Sequence, residues 1–323
     1  MARKGTQPLK PVVLFFALLI ASLADAADLP RLGVLSFTQV TPAMQDALRS
    51  GLREHGYVEN RNLVIEWRAA EGRVDRAKTL AAELVSMNSQ VIVAMLTPAV
   101  QAAKEATATI PIVMAPAGDP VATGFVASLA RPGGNITGIA GQGAEISGKR
   151  VALLRELLPK VESIGLLTNG ADPFVRPFID EHRAVAKKVG LRLRIADVRR
   201  PQDVESALAG LARDGAAAVV VQGVLTGQAW QVGPLSMRHK LIAVSNLRQF
   251  ADNGGFFSYG ANSLGIYRRA ASYVDRILKG AKAAELPVEL PTEFELVVNM
   301  KVARALGVTI PPSVLVRVDE LIQ

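Results

Sequence analysis

Residues 91–120 read VIVAMLTPAVQAAKEATATIPIVMAPAGDP. The run from Val91 to Met95 is apolar and rich in β-branched residues, a helical pattern follows from Thr97 to Thr107, and Ile112 to Ala115 is a second apolar run. Strand, helix and strand in that order form a βαβ unit, and such a unit belongs to a mainly parallel sheet.

The same alternation extends in both directions. Upstream, Leu32 to Leu35 and Leu63 to Trp67 read as strands, Thr41 to His55 and Val74 to Ser86 as helices. Downstream of Gly133-Gly134 a second series begins. Its helices are predicted over Glu145 to Leu158, Phe174 to Val189, Val204 to Arg213 and Gly227 to His239, and its strands over Ser163 to Leu167, Leu191 to Ala196, Ala217 to Val221 and Leu241 to Ser245.

The two series share a pattern. Each opens with a strand ending in polar residues (Ser36-Phe37-Thr38, Thr168-Asn169), then a helix entered at a proline (Pro42, Pro173) and stopped by a glycine (Gly56, Gly190). Proline in the first helical turn and glycine just past the last are what helix ends favour sterically. Their recurrence predicts an α/β protein of two similar lobes. After Gly255 to Tyr259, a strand, the order changes: a helix over Leu264 to Leu278, a Pro-rich stretch from Leu286 to Pro291, and a strand over Phe294 to Asn299. A tail of this kind is expected to cross back between lobes, and several crossings at one place make a hinge.

The N-terminus reads as an export leader. Arg3, Lys4 and Lys10 form a positive region, Val12 to Leu23 an apolar run, and Ala24-Asp25-Ala26 a small-x-small cleavage pattern. About 12 apolar residues fall short of the roughly 20 that span a bilayer, so a cleaved leader over residues 1–26 is favoured over an anchor. The chain has no cysteine, which excludes a lipid tether on that residue and any disulfide, and leaves stability to the core. The net charge is +8; without Arg3, Lys4, Lys10 and Asp25 it falls to about +6, spread through helices with acidic neighbours. Lys149-Arg150 before Glu156 is an example, and a nucleic-acid partner is not expected.

Ligands of parallel α/β sheets bind beyond the carboxyl ends of the strands. The polar loops there are Ser36-Phe37-Thr38, Thr97-Pro98-Ala99, Gly118-Asp119-Pro120, Thr168-Asn169-Gly170, Gln222-Gly223, Asn246 and Ser258-Tyr259. Thr97 can cap its helix, Pro98 fits the first turn, and free N–H groups from Ala99 onward would face an anion such as a ligand carboxylate. The other reading is a well-capped structural helix. Asp119 can pair with a ligand ammonium or simply stabilise an Asp-Pro turn. Among Phe37, Phe174, Trp230, Phe250 and Tyr259, packing is the expected role except for Tyr259, between Ser258 and Gly260.

Catalytic signatures are missing. Gly143 to Lys149 spells G-x-x-x-x-G-K, but Arg150 stands where a phosphate-binding loop needs Ser or Thr. His55, His182 and His239 have no second His or Cys at metal spacing, and His182 beside Asp180 and Glu181 reads as a solvated helix face. No nucleophile elbow or dinucleotide fingerprint occurs. These patterns predict no enzyme, no metal and no cofactor.

Several stretches resemble one family, the ABC-transporter substrate-binding proteins of the tryptophan/tyrosine-transporter type. They include Gly56-Tyr57-Val58-Glu59-Asn60, Thr97-Pro98-Ala99, Gly118-Asp119-Pro120-Val121, and the most distinctive run, Ser128-Leu129-Ala130-Arg131-Pro132-Gly133-Gly134-Asn135-Ile136-Thr137-Gly138. Ser258-Tyr259-Gly260-Ala261-Asn262, Tyr267-Arg268-Arg269-Ala270-Ala271 and Ala305-Leu306-Gly307-Val308-Thr309-Ile310-Pro311-Pro312 match as well.

The resemblance implies a periplasmic binding protein of type I fold: two Rossmann-like lobes with mainly parallel sheets, hinged by three crossovers. The expected division is lobe 1 over 27–138 plus about 260–285 and lobe 2 over 139–259 plus about 292–323. The implied function is capture of a small polar ligand, an amino acid or related carboxylate, for delivery to an ABC permease in the inner membrane. The carrier would be a periplasmic monomer, and Ser36, Phe37, Thr97, Pro98, Ala99, Asp119, Asn169, Gln222 and Tyr259 the ligand-binding residues. Gln222-Gly223-Val224-Leu225 lacks the Pro and Asp frequent in relatives, so the ligand can differ. An exported sensing module for a membrane receptor is the alternative, and an exported α/β enzyme a third.

Overall fold

A computed structural model describes residues 29–141 and 144–323. The stretch predicted to be an export leader, residues 1–26, and Gly143 of the G-x-x-x-x-G-K run lie outside the described residues. In chain order the first half contains β1 (Arg31–Ser36), α1 (Pro42–Glu54), β2 (Val64–Ala69), α2 (Val74–Ser86), β3 (Val91–Met95), α3 (Thr97–Ala106), β4 (Ile112–Ala117) and β5 (Ile136–Ala140). These strands form one parallel sheet in the order β2-β1-β3-β4-β5. Every residue of β3, β4 and β5 is buried, as their apolar composition requires of strands covered on both faces.

The second half contains α4 (Ala144–Leu157), β6 (Ser163–Thr168), α5 (Val175–Lys188), β7 (Arg192–Asp197), α6 (Val204–Arg213), β8 (Ala218–Val221), α7 (Ala229–Arg238), β9 (Ile242–Ser245), α8 (Arg248–Asp252) and β10 (Phe257–Ala261). The tail adds α9 (Ser263–Leu278), β11 (Phe294–Asn299), α10 (Met300–Ala305), α11 (Pro312–Leu315) and β12 (Glu320–Ile322). The second sheet runs β12-β11-β10-β9-β8-β6-β7, parallel except for the β10–β11 pair. That reversal follows from the route of the chain: β10 leads out to α9, and β11 returns.

Although β10 belongs to the second sheet, α9 packs on the first. Its Ile266, Ala270, Ala271 and Val274 share a core with Leu32 and Val34 of β1 and Leu48 and Leu52 of α1. The chain therefore passes between sheets three times: between β5 and α4, between β10 and α9, and between α9 and β11. The crossings are tied to one another. Glu289 N–H donates to the Gly138 carbonyl at 2.9 Å, Ala140 N–H to the Glu289 carbonyl at 2.8 Å, and Asn262 N–H to the Glu293 carbonyl at 3.0 Å. Gly138 has φ +120°, and a Cβ there would stand 2.5 Å from the Met114 backbone N and O. Only glycine fits this contact.

The lobes touch. One apolar cluster runs from Leu35, Phe37 and Ile92 of the first sheet's side to Leu167, Val221 and Leu225 of the second's.

One expectation about a polar residue is corrected. His182 is fully buried, not on a solvated face: Phe178, His182 and Ala186, spaced by four, form the buried stripe of α5. Its Nδ1 lies 2.8 Å from the Phe178 carbonyl, so Nδ1 carries the proton. Burial above all, with the charge of Arg150, pushes the imidazole down to about 3, leaving it neutral. Arg150 is likewise buried, its Nε and Nη2 donating to the Tyr259 carbonyl at 3.2 and 3.3 Å.

Candidate ligand cleft

The carboxyl ends of β3, β4, β6, β8 and β9 converge where the lobes meet. Leu96, Thr97 and Gly118 from one side, and Asp172, Phe174, Glu181, Gln222, Asn246 and Leu247 from the other, enclose a chamber of about 60 Å³. Leu96 and Leu247 also wall a second chamber of about 120 Å³ with Thr38, Gln39, Trp230 and Gln249. Gln39, Gly227 and Trp230 lead on to a wide mouth of about 760 Å³ beside Arg73, Asn169 and Arg200. The innermost space equals roughly two water molecules. A ligand of any size enters only when the lobes part.

Gly118 and Phe174 meet across the boundary. A Cβ on Gly118 would stand 2.3 to 2.6 Å from carbons of the Phe174 ring. A side chain at position 118 would hold the lobes apart.

Asp172 lies between Asn169 and the start of α5 and is 2% exposed. Phe174 N–H donates to its Oδ1 at 3.0 Å and Gln222 Nε2 to its Oδ2 at 2.7 Å, while Gln222 Oε1 accepts from Asn169 N–H at 2.9 Å. Burial pushes the Asp172 carboxyl up to about 7 against the Phe174 hydrogen bond. Glu181, on α5, accepts from the Ser147 hydroxyl at 3.1 Å. Burial first, and the charge of Asp119, push it up to about 7; Ser147 and Arg150 oppose the rise. Arg150 itself is lowered to about 10 by burial.

Of the residues expected from sequence, Thr97 and Gln222 line the inner chamber and Asn169 the mouth. Thr97 does not cap its helix. Leu96 holds the cap position with φ 73°, and the Thr97 hydroxyl accepts from Gly118 N–H at 2.9 Å, joining the ends of β3 and β4. Nor are the N–H groups from Ala99 onward free: those of Ala99 and Val100 both donate to the Leu96 carbonyl, at 3.0 and 3.2 Å. Pro98 and Ala99 are buried behind Thr97.

Ser36 and Phe37 are wholly buried, Phe37 in the core. Asp119 braces its turn, accepting from Val121 and Ala122 N–H, each at 3.0 Å. Tyr259 stacks on Phe294 with ring centroids 6.5 Å apart and lines none of the three spaces. Phe174 and Phe178 line the inner chamber, and Tyr267 and Trp230 the second, Trp230 being 66% exposed.

Asp172 and Glu181 were not among the expected residues. A signal for Asp172 existed: Asp172-Pro173 after β6 repeats Asp119-Pro120 after β4. Glu181 carried none, since its neighbours Asp180 and Arg183 form an exposed ion pair.

A groove of about 660 Å³ lies outside the cleft, against α9 and the third crossing. Arg268 pairs there with Glu54 and Arg269 with Glu289, and the groove meets the carboxyl end of β10 at Asn262, whereas the carboxyl ends of five strands converge on the cleft. The strand-end rule therefore places the site between the lobes.

Two α/β lobes joined by three crossings, with the enclosed space at their strand ends, define a periplasmic-binding-protein-like fold. The chain belongs to the family of ABC transporter substrate binding proteins, whose profile matches residues 39–322. It is 25% identical over 256 residues to a tyrosine-binding protein of Clostridioides difficile (strain R20291), covering 79% of this chain and 74% of that protein. Among solved structures, it is similar to a conserved domain protein from Vibrio cholerae (TM-score 0.85, 29% identity, 90% of this chain and 99% of the other). It is also similar to an ABC domain in complex with L-Trp from Streptococcus pneumonia (TM-score 0.84, 27% identity, 91% and 100%). The protein is thus a substrate-binding component of ABC transport, and a small molecule is its ligand.

Proposed function

We propose that this protein is a non-catalytic periplasmic carrier that takes up an amino acid or related small carboxylate between its lobes and delivers it to an ABC permease in the inner membrane. The observation that carries this reading is the enclosed chamber at the strand ends, walled from one side by Thr97 and from the other by Asp172 and Gln222. The tyrosine-binding relative and the similar structure with L-Trp favour an amino acid. In this reading the leader over 1–26 is cleaved and the mature carrier, lacking a cysteine for a lipid tether, diffuses as a monomer. The lobe division near 138 and 260, with return near 292, follows the three crossings.

Thr97, Asn169 and Gln222 are the expected residues proposed to meet the ligand, joined by Asp172, Glu181, Phe174 and Trp230. Ser36, Phe37, Pro98, Ala99, Asp119 and Tyr259 shape the walls behind them. Ligand binding stabilises the closed form by its difference in affinity for the two states. A micromolar dissociation constant corresponds to about 8 kcal/mol. Heating the purified protein with a library of amino acids and small carboxylates tests the proposal: ligand at a hundredfold excess over Kd adds about 2.7 kcal/mol and raises Tm. If none of them raises Tm, the amino-acid reading fails.

A further inference from the structure

We infer that the second chamber is a specificity pocket for an uncharged hydrogen-bonding group of the ligand, a hydroxyl or carboxamide, read by the Tyr267 hydroxyl of one lobe and the Gln249 amide of the other. This rests on the cleft being the ligand site.

The way into the cleft leads through this chamber. Gln39, Gly227 and Trp230 join it to the mouth, and Leu96 and Leu247 are walls it shares with the inner chamber. Its volume of about 120 Å³ is twice that of the inner chamber, room for roughly four water molecules. Among the described residues, none of those lining it carries a charge. A carboxylate or ammonium pushed into it would lose its water and meet no counter-charge.

Two polar groups there are unspent. Tyr267, on α9, is 4% exposed, and its ring packs in the core of the first lobe, yet its hydroxyl makes no hydrogen bond within the described residues. Burial alone pushes its phenol up, so it stays a neutral hydroxyl, able to donate and to accept. Gln249, on α8, has its Oε1 buried without a partner, and a carboxamide also both donates and accepts. Their neighbours are committed: Thr41 Oγ1 accepts from Met44 N–H at 3.3 Å, and Asn253 Nδ2 donates to the Gln249 carbonyl at 2.7 Å. Buried polar groups without partners are uncommon and costly, so two at one cavity mark a place for a ligand's own polar group.

The two groups come from opposite lobes. Tyr267 is carried by the helix that packs on the first sheet, and Gln249 by the helix between β9 and β10 of the second, so they share a chamber when the lobes meet. A ligand group that bonds both therefore favours the closed form. A hydroxyl or amide donates to one and accepts from the other. A methyl in its place leaves both unpaired, the condition under which a site discriminates most strongly.

Titration calorimetry of the full mature chain with two matched sets tests this. The sets are tyrosine, phenylalanine and 4-carboxyphenylalanine, and glutamine, leucine and glutamate. In at least one set the uncharged polar member should bind at least tenfold more tightly than both companions. A smaller ratio in both sets, or no binding in either, overturns the pocket. The thermal-shift library separates the two failures: an amino acid or small carboxylate that raises Tm leaves the carrier reading standing, and the lack of one removes that reading too. Tyr267→Phe, which deletes the hydroxyl alone, is the second arm. It should lower the ratio of polar to apolar affinity at least fivefold; a smaller change, or an equal loss for both members, overturns the assignment, since a structural role would move both alike. With no protein partner to lose, the ligand-free variant should melt within about 4 °C of the parent. A larger fall means that the hydroxyl holds the fold, and likewise overturns the assignment.

Discussion

Replacing Gly118 by alanine should shift the balance between open and closed lobes without damaging either lobe. The new methyl would stand 2.3 Å from the nearest Phe174 ring carbon, against an ordinary contact of 3.4 Å or more, so ring and methyl must separate by at least about 1 Å. Phe174 belongs to the opposite lobe and is packed against Phe178, which limits its freedom to turn away. Overpacking of this kind costs about 1–3 kcal/mol. Since the strain exists only when the lobes meet, it falls on the closed form, and 1–3 kcal/mol is a shift of roughly 5–150-fold in the closing equilibrium. A ligand that needs closure should lose affinity by that factor. Titration calorimetry reads the affinity, and solution X-ray scattering the shape; a compact chain of this length has a radius of gyration near 20 Å by roughly 2.2·N^0.38, and the variant should exceed the parent. Adding Phe174→Ala removes the ring that clashes, so the double variant should recover closure and the two changes should not add. Affinity within threefold of the parent, with unchanged scattering, would refute the reasoning.

Asp172 should make the ligand-free protein less stable as pH rises. Its carboxyl is raised to about 7 in the fold, so the folded state holds the proton more tightly than the unfolded chain; its contribution is full below about pH 4 and lost as pH climbs through about 7. Three pKa units correspond to about 4 kcal/mol as an upper bound, and the parent-minus-Asp172→Asn difference in denaturation free energy, measured from pH 5 to 8, should fall with pH; a flat difference would contradict the burial argument. Trp230 is exposed at the mouth whereas Trp67 is the other tryptophan, set in β2, so ligand-induced change in tryptophan fluorescence should vanish in Trp230→Phe and persist in Trp67→Phe. Gly138→Ala combines a forbidden φ with a 2.5 Å contact to Met114 backbone, and should cost more than about 3 kcal/mol in urea unfolding.

The fold was largely legible because parallel strands and amphipathic helices write themselves in hydrophobic period. Val74–Ser86, Val91–Met95, Val204–Arg213 and Phe294–Asn299 have the boundaries their apolar pattern predicts. The short pieces α8, α10, α11 and β12 were not, since four to six residues, or three for β12, carry too little period to be read. Where loops converge was also readable, because strand ends follow from strands.

Which side chains reach the cleft was not. Thr97 was read as a cap, yet Leu96 adopts a left-handed backbone that propensity does not favour, and the threonine turns to Gly118. His182 and Glu181, adjacent in sequence, part company because α5 buries one against Phe178 and aims the other at the chamber. Such rotations are set by tertiary packing, of Thr97 on Gly118 and of His182 on Phe178, which the local pattern does not encode.

The most direct measurement of the central claim is a crystal structure of the mature protein grown with a ligand that raises its Tm. Density for that ligand between Thr97 on one lobe and Asp172 and Gln222 on the other is the predicted result. Density in the outer groove between Arg268 and Glu293, with the inter-lobe chamber unchanged, would contradict it.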